Sequence, residues 1–274
     1  MKWKVTCLQM DVAFGDPEAN YRHAEQLARQ ASIRQESDGQ SAADTAVLAL
    51  PELWTTGYDL ARLPAIADWN GSRTLPFLSE LAVSCGSAIV GGSYARLEED
   101  GIRNTMPFVD SSGRNLGSYD KLHLFGPMAE PSFLLPGSRL GRFALDGIPC
   151  AGVVCYDIRF PEWIRAHALA GAEVLFVAAE WPASRLDHWR TLLTARAIEN
   201  QCFVVACNRA GSDPTNRFAG HSLILDPWGA VLAEGGTEEE LVSAELDLSL
   251  VQEVRSRFPV FRDRRPDLYG AFGS

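Results

Sequence analysis

The chain of 274 residues is 46% apolar and 22% charged, the balance of a soluble globular protein. Its net charge of −10, from 35 acids against 25 bases with no Lys/Arg block, argues against nucleic-acid binding. No segment reaches the roughly 18 apolar residues of a membrane span, and the amino terminus lacks a signal peptide's long apolar stretch, so a cytoplasmic location without membrane contact is expected.

Short apolar runs alternate with amphipathic stretches. "KVTCLQM" reads as a strand. "NYRHAEQLARQAS" reads as a helix with Tyr21, Ala24, Leu27, Ala28 and Ala31 on one face. The polar stretch 35–43 reads as a loop. "DTAVLAL" is a strand, "LPFLSELAVSC" a helix and "SAIVGGSYARL" one strand. "TMPFVDSSGRNLGSYD" reads as a hairpin around Ser-Ser-Gly. "PCAGVVC" is a strand, and a helix runs from Pro161 to about Ala170 with proline at its first position. "AEVLFVAA" is a strand. "DHWRTLLTARAIENQ" is a helix with Asp187 as N-cap. "CFVVACN" is a strand, "HSLILDPWGAVLAE" a hairpin around Pro-Trp-Gly and "ELVSAELDL" the last strand. A helix near Ser249 to Arg257 and an irregular tail follow. This alternation implies an α/β fold with mixed sheets. No linker or composition break divides the chain, so one domain over 1–274 is expected.

The six cysteines (Cys7, Cys85, Cys150, Cys155, Cys202 and Cys207) are scattered singly. Without a CxxC pair they suggest neither a zinc site nor a disulfide framework, and five read as small buried hydrophobes. Cys155 is different. It ends a strand apolar enough to be buried on both faces, where the chain turns toward a helix. Ligands gather at the carboxyl ends of such strands. Backbone N–H groups there can hold the oxyanion formed when a thiolate attacks a carbonyl, and a helix N-terminus favours the thiolate. A buried structural cysteine is the competing reading.

A nucleophilic cysteine needs a proton acceptor. Of five histidines, His23 and His167 sit on predicted helices as surface or packing residues, while His123, His188 and His221 stay open. None joins another in metal-ligand spacing, so neither metal nor organic cofactor is expected. "AVLALPELWTTGYD" sets Glu52 just past an apolar strand, where desolvation suits a carboxylate to base chemistry near neutral pH. "SYDKLHLFG" sets Lys121 after a hairpin, as either a surface charge with a buried stem or a fixed cation over an oxyanion.

Together, "LPELWTTGY", "YDKLHLF" and "GVVCYDIRFPE" resemble, in order, the Glu, Lys and Cys motifs of the nitrilase, or carbon–nitrogen hydrolase, superfamily. The resemblance runs from the first strand to at least "GHSLILDPWGAVLAE". It implies a four-layer αββα sandwich and a homodimer or larger homo-oligomer. It makes Glu52 the general base, Lys121 the transition-state stabiliser and Cys155 the nucleophile. Glu130, in "FGPMAEPSFLLPG", is similar to the family's second active-site glutamate. No catalytic histidine is implied, which leaves His123 structural. "CYDIRFPEW", "EWPASRLDHW" and "CNRAG" look most like the omega-amidase branch, with bacterial members that act on 2-oxoglutaramate. The implied partner is a small amide, opened through a Cys thioester. Tyr156, by its backbone N–H, with Arg159 and Trp181 would contact the substrate. A substrate carboxylate would want an arginine, and Arg159, Arg185, Arg209 and Arg217 are all candidates. Other carbon–nitrogen substrates (a nitrile, an N-carbamoyl amino acid or an aliphatic amide) and a non-catalytic scaffold are the alternatives.

Overall fold

The computed structural model describes residues 1–37 and 43–269. In chain order its first half runs β1 (Lys2–Gln9), α1 (Pro17–Ser37), β2 (Thr45–Ala49), α2 (Leu63–Ile66), β3 (Asp68–Trp69) and α3 (Thr74–Cys85). Four strands follow: β4 (Ala88–Val90), β5 (Tyr94–Glu98), β6 (Gly101–Val109) and β7 (Asn115–Asp120). The second half holds β8 (Arg142–Leu145), β9 (Ile148–Val154), α4 (Pro161–Leu169), β10 (Val174–Ala179), α5 (Leu186–Asn200) and β11 (Phe203–Asn208). It ends with β12 (Leu223–Leu225), β13 (Val231–Glu234), β14 (Glu240–Asp247), α6 (Ser249–Arg257) and α7 (Pro266–Tyr269).

The strands form two mixed sheets. One has the order β14-β1-β2-β4-β6-β5-β3, with β7 also paired to β6; the other has the order β13-β12-β11-β10-β9-β8. The sheets pack face to face. Trp3, Val5, Val47, Val90 and Phe108 of the first share one buried cluster with Val153, Phe176, Val205 and Ile224 of the second. Burial on both faces explains why β9, β10 and β11 read as unbroken apolar runs. Outside the first sheet, α1 and α3 bury Tyr21, Ala24, Leu27, Leu78 and Leu81 against Leu8, Leu48 and Ile89. On the second, α4 and α5 add Ile164, Trp189, Leu193 and Ala197 to the shared core. The result is the four-layer αββα sandwich.

Several expectations need correction. The helix α1 runs on to Ser37, into the stretch read as a loop, and positions 38–42 of that stretch lie outside the described residues. The run "SAIVGGSYARL" is two strands. Gly91 and Gly92 break it, and Gly92 takes φ +56° because a Cβ there would sit 2.1 Å from the Pro51 carbonyl oxygen. Asp187 is not the N-cap: α5 begins at Leu186, so the aspartate lies inside the first turn, where its charge meets the exposed N–H groups. Cys155 does not lead straight into α4. A 3₁₀ turn over Cys155–Arg159 comes first. The irregular tail contains the short helix α7.

Gly152 on β9 packs directly against β6 of the other sheet. A Cβ there would meet Met106 Sδ at 2.5 Å and Phe108 Cε1 at 2.6 Å. Gly152→Ala is expected to destabilise by about 1–3 kcal/mol, the cost of overpacking a filled core. Thermal unfolding checks this: at ~2–4 °C per kcal/mol the melting point should fall measurably.

Candidate active site

Four strand ends deliver the site. Glu52 follows β2, Lys121 follows β7, Cys155 follows β9 and Glu180 follows β10. The loop behind Glu52 is tied to the break between β4 and β5. Leu53 N–H donates to Ser93 Oγ at 2.9 Å, and Trp54 Nε1–H donates to the Gly91 carbonyl at 2.9 Å. Gly91, at the strand break, and the nearby Ser93 thus hold the carboxylate's loop.

Glu52, Lys121 and Glu130 are all 0% exposed. Lys121 Nζ donates to Glu52 Oε1 and to Glu130 Oε1, both at 2.7 Å. Lys121 is therefore no surface charge. Asn104 Nδ2 donates to Glu52 Oε1 at 2.9 Å, and the Glu180 backbone N–H donates to Glu52 Oε2 at 3.0 Å. The Tyr58 hydroxyl lies 2.6 Å from Glu130 Oε1 and 3.1 Å from Glu52 Oε1. Phe125 N–H donates to Glu130 Oε2 at 2.6 Å.

Burial works against the charge on Lys121, but Glu130 and Glu52 overcome it and hold the ammonium above its usual range. Burial raises the Glu130 carboxyl, and Lys121 offsets part of this. The Tyr58 hydroxyl is held well above the ordinary range by burial and by both carboxylates, so it stays protonated.

Cys155 borders this cluster, and its thiol feels the charges of Glu52, Lys121 and Glu130. Burial, then the Glu52 charge, pushes its thiol well above the ordinary range, while Lys121 pulls the other way. The expected thiolate, favoured by a helix N-terminus, is thus replaced by a neutral thiol at rest, because the 3₁₀ turn separates it from α4 and carboxylates surround it. Cys155 has φ +47°, a left-handed conformation that an L-residue adopts at a cost of about 1–3 kcal/mol. Asp157, 0% exposed, fixes the turn. Its Oδ2 accepts from Val154 N–H at 3.0 Å and Tyr119 OH at 2.8 Å, and its Oδ1 accepts from His123 N–H at 3.0 Å. His123 Nδ1 is 2.7 Å from the same Oδ1, and its ring stacks on Phe160, a structural role.

A narrow cleft opens over Cys155, with Tyr58, Phe125, Glu180, Arg185 and the three expected contact residues Tyr156, Arg159 and Trp181 in its wall. Arg159 stacks over the Trp181 ring at 4.7 Å and Arg185 lies over Phe125 at 5.7 Å. Burial, then the like charge of Arg185, pushes the Arg159 guanidinium down from its usual range. Among the described residues neither has a carboxylate partner; His188 Nδ1 lies 3.3 Å from Arg159 Nη2. The other two candidate arginines drop out. Arg209 is fully buried against Glu180 at 2.7 Å, and the exposed Arg217 does not line the cleft. His221 is engaged with Glu234 at 3.0 Å. All six cysteines are free thiols; four of the other five are buried and Cys85 is half-buried.

Sequence reasoning missed Tyr58, Asn104 and Glu180. Glu180 carried the signal used for Glu52, a carboxylate directly after a fully apolar strand. Tyr58 stood inside the quoted "LPELWTTGYD". Nothing local marks Asn104, which lies mid-strand in β6.

A buried carboxylate–ammonium–carboxylate cluster thus lies beside a strained cysteine at strand ends of an αββα sandwich. The carbon–nitrogen hydrolase family model matches residues 4–256, and the chain belongs to that family; it is an enzyme that hydrolyses carbon–nitrogen bonds. The chain is 53% identical over 269 residues to the 2-oxoglutaramate amidase of Bacillus subtilis, covering 98% of this chain and 100% of the relative. Omega-amidase YafV of Yersinia enterocolitica is 37% identical over 264 residues, 95% of this chain and 96% of that protein. The crystal structure of Saccharomyces cerevisiae Nit3, a member of branch 10 of the nitrilase superfamily, superposes with a TM-score of 0.87 at 29% identity, covering 96% of this chain and 97% of that one. Among the described residues no helix is long and apolar enough to cross a membrane.

The strain at Cys155 is testable apart from activity. Glycine adopts φ +47° freely, whereas alanine pays for it. Cys155→Gly should therefore be more stable than Cys155→Ala by ~1 kcal/mol. Equal melting points would mean that the turn is not strained.

Proposed function

We propose that the enzyme hydrolyses the terminal amide of a small 2-oxo dicarboxylate monoamide to carboxylate and ammonia, within one domain over 1–274 and through a Glu52–Lys121–Cys155 triad. The observation that carries the reading is the buried Cys155 thiol set beside Glu52, whose hydrogen-bond partners are a buried ammonium and an amide donor. A thiol that burial keeps protonated needs a base at the moment of attack.

In this scheme Glu52 takes the thiol proton and the sulfur attacks the amide carbon. Charge developing on the amide oxygen is met by the Lys121 ammonium and the Tyr156 backbone N–H. Glu52 returns the proton to the leaving nitrogen, ammonia departs and a thioester remains on Cys155. Glu52 then deprotonates a water that attacks the thioester, releasing the acid and restoring the thiol. Glu130 receives Lys121 at 2.7 Å and so keeps the ammonium aimed. No step draws on a cofactor.

The substrate assignment is supported by the two arginines in the cleft wall without carboxylate partners and by the names of the relatives. Guanidinium binds carboxylate in a forked pair of hydrogen bonds, which suits Arg159 and Arg185 to the distal carboxylate. Self-association belongs to the same reading: Ile198, Trp228, Val231 and Phe258 are exposed apolar side chains, and the Trp228 and Phe258 rings pack edge to face at 5.5 Å. Size-exclusion chromatography with light scattering tests that point, and a monomer would remove it.

Ammonia release from 2-oxoglutaramate, butyramide and an N-carbamoyl amino acid tests the substrate class. The expected kcat/KM is ~100-fold or more higher for 2-oxoglutaramate than for butyramide, since an unpaired guanidinium in the cleft penalises the neutral amide. Equal rates would remove the carboxylate clamp, and preference for the N-carbamoyl compound would assign a different substrate class. Arg185→Gln should raise KM for 2-oxoglutaramate by about 10-fold or more, the scale of one charge-assisted hydrogen bond, and leave butyramide unaffected. Cys155→Ser should be nearly inactive, because an alcohol is far harder to ionise than a thiol. Wild-type turnover in that variant would refute the thioester route.

A further inference from the structure

The two oxygens of Glu52 are served unequally. Oε1 accepts from Lys121 Nζ at 2.7 Å and Asn104 Nδ2 at 2.9 Å, which occupies both lone pairs of a carboxylate oxygen. The Tyr58 hydroxyl has one proton and lies nearer Glu130. Among the described residues Oε2 accepts one backbone hydrogen bond, from Glu180 N–H at 3.0 Å. One lone pair of Oε2 is thus left for the Cys155 proton.

The peptide that supplies this N–H is itself clamped. Arg209 Nη1 donates to Glu180 Oε2 at 2.7 Å, and Arg209 backbone N–H donates to the Ala179 carbonyl at 2.9 Å. Arg209 Nη2 reaches the Val12 carbonyl at 2.6 Å and the Ser212 carbonyl at 3.1 Å, and its guanidinium lies over Phe218 at 4.2 Å. Both Glu180 and Arg209 are 0% exposed. Stability explains such a pair poorly, since a buried ion pair seldom outperforms apolar side chains of equal volume. Here Glu180 Oε1 is also left without a hydrogen-bond partner.

We propose that Glu180 and Arg209 are positioning residues for Glu52: their buried pair fixes the 179–180 peptide, so that the Glu180 N–H engages one lone pair of Oε2 and turns the other toward Cys155. The inference rests on Glu52 being the general base. Glu180 borders the cleft, but neither side chain is assigned a substrate atom in this scheme. Arg209 was a candidate for the substrate carboxylate; its Nη1 and Nη2 are committed to this clamp, and its buried Nε has no partner among the described residues.

The test is the rate at which iodoacetamide alkylates Cys155 near neutral pH, read by mass spectrometry, alongside kcat and KM for 2-oxoglutaramate. Alkylation needs Glu52 in place but no knowledge of the substrate. The double variant Glu180→Met/Arg209→Met removes the clamp without leaving an unpaired buried charge. It should melt close to wild type, while alkylation and kcat fall together by about 10–100-fold, the scale of a small misplacement of a catalytic group. KM should stay within about threefold, because Oε2 does not bind substrate in the ground state. Glu180→Gln keeps an acceptor for Arg209 and should restore both rates to within about threefold of wild type. Should the double variant not fold, Arg209→Lys carries the test: it keeps the charge and loses the fork, and alkylation should slow about fivefold or more. A folded variant alkylated within about twofold of wild type, or a loss confined to KM, overturns the proposal. A wild-type enzyme that releases no ammonia from any amide overturns the amidase reading instead, and leaves the alkylation result to be judged by itself.

Discussion

The Lys121 ammonium, shared between Glu52 and Glu130 with all three side chains withdrawn from water, is the interaction on which the rest of the molecule turns. Each charge loses several kcal/mol of hydration on burial, and mutual attraction repays this only with good geometry and further hydrogen bonds. Both are present: two contacts of 2.7 Å, with Asn104, Tyr58 and the N–H groups of Phe125 and Glu180 completing the carboxylates. One ammonium against two carboxylates keeps the pocket from welcoming another anion. Burial, and then the Glu52 charge, hold the neighbouring Cys155 thiol well above its ordinary range.

The fold's contribution is to bring these groups together on rigid supports. β2 and β7 belong to one sheet, β9 and β10 to the other, and their ends meet at the edge of the shared core. The Glu52 loop is anchored by Gly91 and Ser93, and the Cys155 turn by Asp157. The left-handed conformation of Cys155 is part of the arrangement, a local cost borne by a core built from two apolar sheet faces.

Much of this was legible in the residues. Apolar runs located the strands, and a charged or nucleophilic residue directly after such a run marked Glu52 and Cys155. Lys121 was ambiguous, since a lysine after a hairpin is as often a surface charge, and only burial by β6, β7 and the Glu130 turn decides it. Glu130 was found through family resemblance alone. The face-to-face packing was not readable from alternation, because which sheet faces meet is a tertiary property. The Gly91–Gly92 break was hidden by alternation that continues across it. The help expected from a helix N-terminus was not readable either, since proximity to a helix start in sequence says nothing about the turn between or the carboxylates across the gap. Among the arginines, sequence offered four equal candidates; packing commits Arg209 to Glu180 and leaves Arg159 and Arg185 over the cleft.

A buried charge cluster that serves chemistry is a burden to the fold. The most direct measurement is thermal unfolding and ammonia release in the triple variant Glu52→Gln/Lys121→Met/Glu130→Gln, which removes every charge of the cluster with little change in volume. The account predicts a melting temperature at or above that of wild type, as for other buried ion clusters replaced by neutral groups, with turnover abolished. A variant that melts far below wild type, or one that still releases ammonia, would contradict it.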